Sequence, residues 1–152
     1  MEKVIAQKLK SLRFVYMALI IGVISFILFA VIINYFNGSF LVPDQIMYNT
    51  FLIVSNVFFV VGLLVAVYIT RKKLSVITTD DLESKLDQYR EAILARGAIL
   101  EGTTFLFVAC YLMMGFHIFL IETIIGILAL AFFFPTNRRI AEELKIDVRQ
   151  LT

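Results

Sequence analysis

Cysteine occurs once in the 152 residues, histidine once, proline twice and tryptophan not at all. One thiol, Cys110, forms no internal disulfide and no Cys-x-x-Cys redox pair, which excludes a dithiol oxidoreductase built from this chain alone. One histidine, His117, excludes bis-histidine haem ligation within the chain. Charge is missing over long stretches: Phe14 to Pro43, Gln45 to Thr70 and Gly102 to Ile121 contain no Asp, Glu, Lys or Arg. Catalytic signatures are missing too: there is no nucleophile elbow, P-loop, His-Glu-x-x-His or paired-aspartate arrangement.

What is present is apolar. Hydrophobic residues make up 61% of the chain, and the mean hydropathy is +0.91. A soluble domain carries closer to half, so the excess, gathered into runs, points to a membrane. Runs of about 20 uncharged residues suffice for a hydrocarbon core of roughly 30 Å. The expected spans cover about 14–36, 46–69, 92–114 and 116–134, joined by a loop at 70–91 and followed by a tail at 135–152. The fold expected is all-α. It is an integral membrane four-helix bundle of two antiparallel hairpins, a single domain over 1–152, with helix 3 extended beyond the membrane and a short C-terminal helix.

The fourteen basic residues set the orientation. Lys3, Lys8, Lys10 and Arg13 precede the first apolar run. Arg71, Lys72, Lys73, Lys85, Arg90 and Arg96 lie between the second and third, and Arg138, Arg139, Lys145 and Arg149 follow the fourth. The opposite connections, Asn34 to Ile46 and Gly115 to His117, carry none. Positive loops remain cytoplasmic, so both termini are expected inside. The basic residues are interspersed with Asp80, Asp81, Glu83, Asp87, Glu142 and Glu143, which speaks against nucleic-acid binding. The partners expected are the lipid bilayer and a second copy or another membrane protein; no cofactor is indicated.

Local signals refine the layout. Residues 2–13 read as a short interfacial helix, with Val4, Ile5 and Leu9 apolar. Asn37-Gly38-Ser39 ends the first span and Pro43-Asp44 opens the second. Thr79 or Asp80 starts one long helix running to Met114, with Glu83 in a capping-box position. Thr136 caps a final helix containing Ile140, Ala141 and Leu144. The six tyrosines fall near span ends, as headgroup-level rings do. An internal repeat is visible as well. Lys8-Leu9-x-x-Leu12-Arg13 recurs as Lys85-Leu86-x-x-Tyr89-Arg90, Gly38 corresponds to Gly115, and Thr70 to Leu74 echoes Thr136 to Ile140.

Two carboxylates at membrane depth are the candidate functional groups. Glu101 stands about 21 Å inward from Gly115 at 1.5 Å per residue. A charge there is costly and must pair, face the bundle or be protonated. Gly97, Glu101, Thr104 and Val108 share one helical stripe. One reading is a proton or cation site; the other is a structural glutamate paired with Arg13, Arg90 or Arg96. Glu122 lies about 10 Å from the outer turn. It is either a second station of a relay or a rim hydrogen-bond partner of Asn34, Asn49 or Asn56. Asn56 and Ser25, near mid-span, suit interhelical hydrogen bonds. His117 reads as solvated and Cys110 as an apolar filler.

Tyr89 to Gly102 and Phe134 to Leu144 together resemble a group of small, uncharacterised bacterial four-span proteins, a resemblance covering the second half of the chain. It implies a fold and a bacterial inner-membrane location, and no activity. Leu100-Glu101-Gly102 is similar to the ion-binding element of rotary-ATPase proteolipids, but the preceding loop is longer and the dense glycine repeat of that family is lacking. The function expected is therefore a non-catalytic accessory or scaffold component. The alternative is a proton- or cation-coupled translocation component using Glu101 and Glu122.

Overall fold

The computed structural model describes residues 2–77 and 81–148. Among them the regular structure is entirely helical: α1 Glu2–Asn37, α2 Gln45–Ser75, α3 Leu82–Met114, α4 His117–Phe132 and α5 Asn137–Leu144. Helix ends follow capping chemistry. Gly38, at φ +74°, closes α1 with its N–H on the Asn34 carbonyl at 3.0 Å. Asp44 accepts from the Met47 N–H at 2.7 Å and starts α2. Gly115, at φ +71°, ends α3 and donates to the Tyr111 carbonyl at 2.8 Å. Both glycines occupy the left-handed region, where a Cβ is penalised. The cap of α3 is Asp81, which accepts from both the N–H and the hydroxyl of Ser84. Thr79 and Asp80, expected there, lie outside the described residues, as does Arg149.

Three helices, α1, α2 and α3, are long and apolar enough to cross a membrane. The fourth differs from its expected 116–134 span. Helix α4 has 16 residues and turns by 69° into α5 at Phe133 to Thr136. At 1.5 Å per residue it is about 24 Å long, short of a roughly 30 Å core. Pro135 supplies the break, since it cannot donate to a continuing helix.

Packing is organised by α3. It lies along α1, α2 and α4; α1 also meets α4 over a shorter stretch, whereas α1 and α2 form no seam of comparable extent. Half of the most apolar window of α3 is buried, against 22% for α1 and 11% for α2. Met113 is the one large apolar side chain that α3 exposes among the described residues. On α1, α2 and α4 the exposed set includes Leu28, Phe29, Phe58, Leu64, Leu128 and Phe132, each more than half accessible. So large an apolar surface on three helices surrounding a buried fourth goes with three helices long and apolar enough to cross a membrane.

Helices α1 and α3 run parallel. Lys8 bonds Asp87, 79 residues on, and Asn34 bonds the Tyr111 carbonyl, 77 residues on. The offset of the sequence repeat is thus the register of the seam, and its two Lys-Leu-x-x motifs lie at the same level. Asn56 of α2 bonds Glu122 of α4 at an offset of 66, that of Thr70 and Thr136. Levels match between the two halves, but burial does not.

Glycine sets the close approaches. A Cβ on Gly126 of α4 would stand 2.4 Å from the Thr104 hydroxyl, and one on Gly62 of α2 would stand 2.3 Å from the Thr103 methyl. One on Gly97 would meet Leu19 and Tyr16 of α1 at 2.8 and 3.0 Å. Each seam of α3 therefore contains a glycine opposite a side chain, the small-residue packing that substitutes for a hydrophobic driving force between helices in lipid.

The basic end differs from its expected form. Residues 2–13 are not a separate interfacial helix; they continue α1 without a break. Ile5, Leu9, Leu12 and Tyr16 pack on Leu86, Tyr89 and Ile93 of α3 and on Ile140 and Ala141 of α5. Val4 stays outside, 42% exposed. Three helix ends bury one shared apolar core there, and full burial of a residue such as Ile140 stabilises by about 1.5–3 kcal/mol. Tyr16 and Tyr89 belong to this core, both 0% exposed, and Tyr111 is buried at the far end. These three rings pack inside the protein, whereas Tyr35 and Tyr68 are exposed.

Candidate functional site

Glu101 lies in the α1–α3 seam, its carboxylate within 3.3 Å of where a Gly22 Cβ would be. It is partly buried and makes no hydrogen bond or ion pair among the described residues. None of its expected partners reaches it. Arg13 donates to the Pro135 carbonyl at 3.2 Å and to Asn137. Arg96 is engaged with Glu143 and Phe133. Arg90 makes no ion pair among the described residues. Arg13 and Arg96 are engaged by α5 and the residues leading into it, and Arg90 is engaged by neither α5 nor Glu101 among the described residues.

The expected stripe divides between two seams. Gly97 and Glu101 face α1, joined by Phe105, whose ring stands 5.2 Å from that of Phe26. Thr104 faces Gly126 of α4 and returns its hydroxyl proton to the Leu100 carbonyl at 2.7 Å. It is 0% exposed and offers nothing to Glu101.

Glu122 is 8% exposed and accepts from the Asn56 side-chain amide, which also donates to the Leu52 carbonyl at 2.9 Å. Its second oxygen, Oε2, is buried with no partner among the described residues. Asn34 instead donates to the Tyr111 carbonyl at 2.8 Å, and Asn49 accepts from Gln45 at 3.0 Å. Ser25 faces outward with no hydrogen bond among the described residues. Glu101 lies against α1 while Glu122 is tied to α2, so the structure does not bring the two carboxylates into one site. Cys110 is buried and free, and His117 is exposed at the start of α4.

The best-built polar constellation was not legible as a unit in the sequence. At the basic end Glu143 of α5 accepts from the Tyr89 hydroxyl at 2.8 Å and from Arg96 at 3.1 Å. Arg96 is 3% exposed, lies 4.6 Å over the Phe133 ring and donates to the Phe133 carbonyl at 3.3 Å. Arg139 approaches Glu143 at 3.9 Å and stacks on Phe132 and Phe133. The Tyr16 hydroxyl donates to the Leu130 carbonyl at 3.2 Å. The Glu143 bonds tie α5 to α3, the Arg96 bond serves the Phe133 carbonyl beyond the last turn of α4, and the Tyr16 bond ties α1 to α4. A signal did exist: Arg96 is followed by Gly97 inside an otherwise apolar helix face, and Glu142-Glu143 follows Arg138-Arg139 at helical spacing. Outside the spans, two hydrogen bonds from Ser84 hold the Asp81 carboxyl below its ordinary value. Lys8 bridges Glu83 and Asp87 at 2.8 Å each on the exposed side of the same module.

Among the described residues no cluster of His, Cys, Asp and Glu suits a metal ion. No protein-family model, curated protein or solved structure matches the chain.

Proposed function

We propose that the chain is a four-span protein of the bacterial inner membrane, with both termini cytoplasmic, acting as a non-catalytic accessory or scaffold component. The observation that carries this reading is the module at the basic end. There α1, α3 and α5 share a sealed apolar core, and Glu143 fastens α5 to Tyr89 and Arg96. Such a module is a packed platform at the basic end, for the most part beyond the expected span limits, carried on three long apolar helices. Helix α4 serves as a short fourth span, a mismatch costing fractions of a kcal/mol per Å. The resemblance of the second half to small bacterial four-span proteins, and the confinement of basic residues to one side, support the location and orientation.

Chemical crosslinking in intact cells through lysines introduced at Arg138 and Glu142, both exposed on α5, tests the reading. A scaffold yields a defined larger species that survives extraction in mild detergent. A chain recovered solely as a lone monomer, with normal growth when α5 is removed, refutes it.

One observation favours a second reading, a proton- or cation-coupled translocation component. Glu101 sits at membrane depth beside Gly22 without a countercharge. A carboxylate kept in lipid surroundings at a cost of about 3 kcal/mol is a functional group by default. Glu122 would act separately, through Asn56. Flux into proteoliposomes by wild type and Glu101→Gln decides this reading, and equal flux eliminates it.

A further inference from the structure

Two recesses meet at Arg71. On the lipid-facing side, between α2 and α4, an apolar groove of about 800 Å³ is lined by Leu63, Leu64, Val67, Ile125, Leu128 and Ala129. Tyr68 and Arg71 stand at its basic end. Leu63 and Arg71 stand eight positions apart on α2, so the groove runs lengthwise for roughly 12 Å. Beyond it lies a recess of about 480 Å³, whose polar lining comprises Arg71, Ser75, Lys85, Glu143 and Lys145. The side chains of Arg71, Lys85 and Lys145 make no ion pair or hydrogen bond among the described residues. The acid of this lining, Glu143, is already held by Tyr89 and Arg96. Among the described lining residues, three cations therefore face a space whose one carboxylate is neutralised from behind.

We propose that this composite site binds one anionic glycerophospholipid, its phosphate among Arg71, Lys85 and Lys145 and an acyl chain along the α2–α4 groove. The proposal rests on the reading of the chain as a membrane protein. Charge and shape argue for this occupant together. An apolar groove that shares Arg71 with a basic recess at the end of the expected spans matches an amphiphile with a negative head, and basic pockets on the cytoplasmic side select such headgroups. A free phosphate leaves the groove empty. A second copy of the chain would fill the groove with an uncharged span and leave the cations unmet.

Thermal melts of the full chain in a neutral detergent test the assignment. The additives are phosphatidylglycerol, phosphatidylcholine of the same acyl chains, and glycerol 3-phosphate; native mass spectrometry counts bound lipid. At a hundredfold excess over the dissociation constant, phosphatidylglycerol should raise Tm by about 5–10 °C. Phosphatidylcholine and glycerol 3-phosphate should give less than a third of that shift, and one lipid should be retained per chain. The triple change Arg71→Gln, Lys85→Gln, Lys145→Gln should abolish the phosphatidylglycerol shift, and Ala129→Phe, which fills the groove, should reduce it at least threefold. If the triple variant fails to fold, Arg71→Gln alone and the headgroup comparison on wild type still decide. Equal shifts with both lipids, a full shift with glycerol 3-phosphate, or a shift unchanged in the variants would overturn the proposal. So would a phosphatidylglycerol-independent dimer that protects the groove. A chain found soluble without detergent would instead defeat the membrane reading itself, so the two failures are distinguishable.

Discussion

Replacing Glu143 by Ala should unfasten α5 from α3. The change removes the acceptor of the Tyr89 hydroxyl at 2.8 Å and of Arg96 at 3.1 Å. Arg96 would remain, its side chain 4% accessible, with the Phe133 carbonyl and ring as its company. Breaking a buried pair by removing one partner costs about 3–5 kcal/mol. The Glu143 side chain is 23% accessible, which lets water relieve part of this and places the loss at the lower end. The orphaned Tyr89 hydroxyl adds up to about 1–3 kcal/mol, overlapping with the first loss because one carboxylate serves both groups. A net destabilisation of about 3 kcal/mol follows. Equilibrium unfolding in mixed detergent micelles measures it. Glu142→Ala is the control: its partner Arg138 is exposed, and such a pair contributes about 0–1 kcal/mol. Glu143→Gln keeps one acceptor and should lose about half as much. Arg96→Met combined with Glu143→Leu should recover most of the loss, since an apolar pair avoids the buried charge. A Glu143→Ala protein as stable as the Glu142→Ala control would refute the role given to the cluster.

Gly126→Ala should destabilise by about 1–3 kcal/mol, because its Cβ would stand 2.4 Å from the Thr104 hydroxyl, whereas Gly102→Ala, with open space, should stabilise by about 0.5–1 kcal/mol; the same unfolding assay reads both, and equal effects would remove the seam argument. In a Cys110→Ala background, Ser39→Cys should react with an impermeant maleimide from outside intact cells and Ser84→Cys after lysis alone; external labelling of Ser84→Cys would reverse the topology. The Asp81 cap should be pH dependent. Its folded carboxyl titrates below its unfolded value of 3.8, so its stabilisation is present above that value and lost as pH falls through the folded one. Hydrogen exchange at Ser84 and Lys85 should accelerate there in wild type and not in Asp81→Asn, and identical profiles would show that the cap does not titrate.

The sequence by itself determined the helices, most of their limits and the side on which charge collects. Uncharged runs and capping residues are local properties, so Asp44, Gly38, Gly115 and Thr136 could be read directly as helix ends. The 77-residue offset of the repeat coincides with the spacing of Asn34 and Tyr111 across α1 and α3, since parallel helices of equal rise keep residues at matched levels. Tertiary structure decided which helix is innermost. The third span is the least apolar of the three long helices, but that difference does not say which neighbours α3 packs against or that α2 faces outward over most of its length. Tertiary structure decided as well where each basic side chain is spent. Arg13 and Arg96 had several acids and carbonyls within reach of their long stems, and the 69° turn at Pro135 brought α5 and its approach beside them. With that turn Arg13 and Arg96, two of the three candidate partners of Glu101, are engaged elsewhere. Partner choice among charged groups depends on three-dimensional direction at a chain break, and a linear spacing carries no such information.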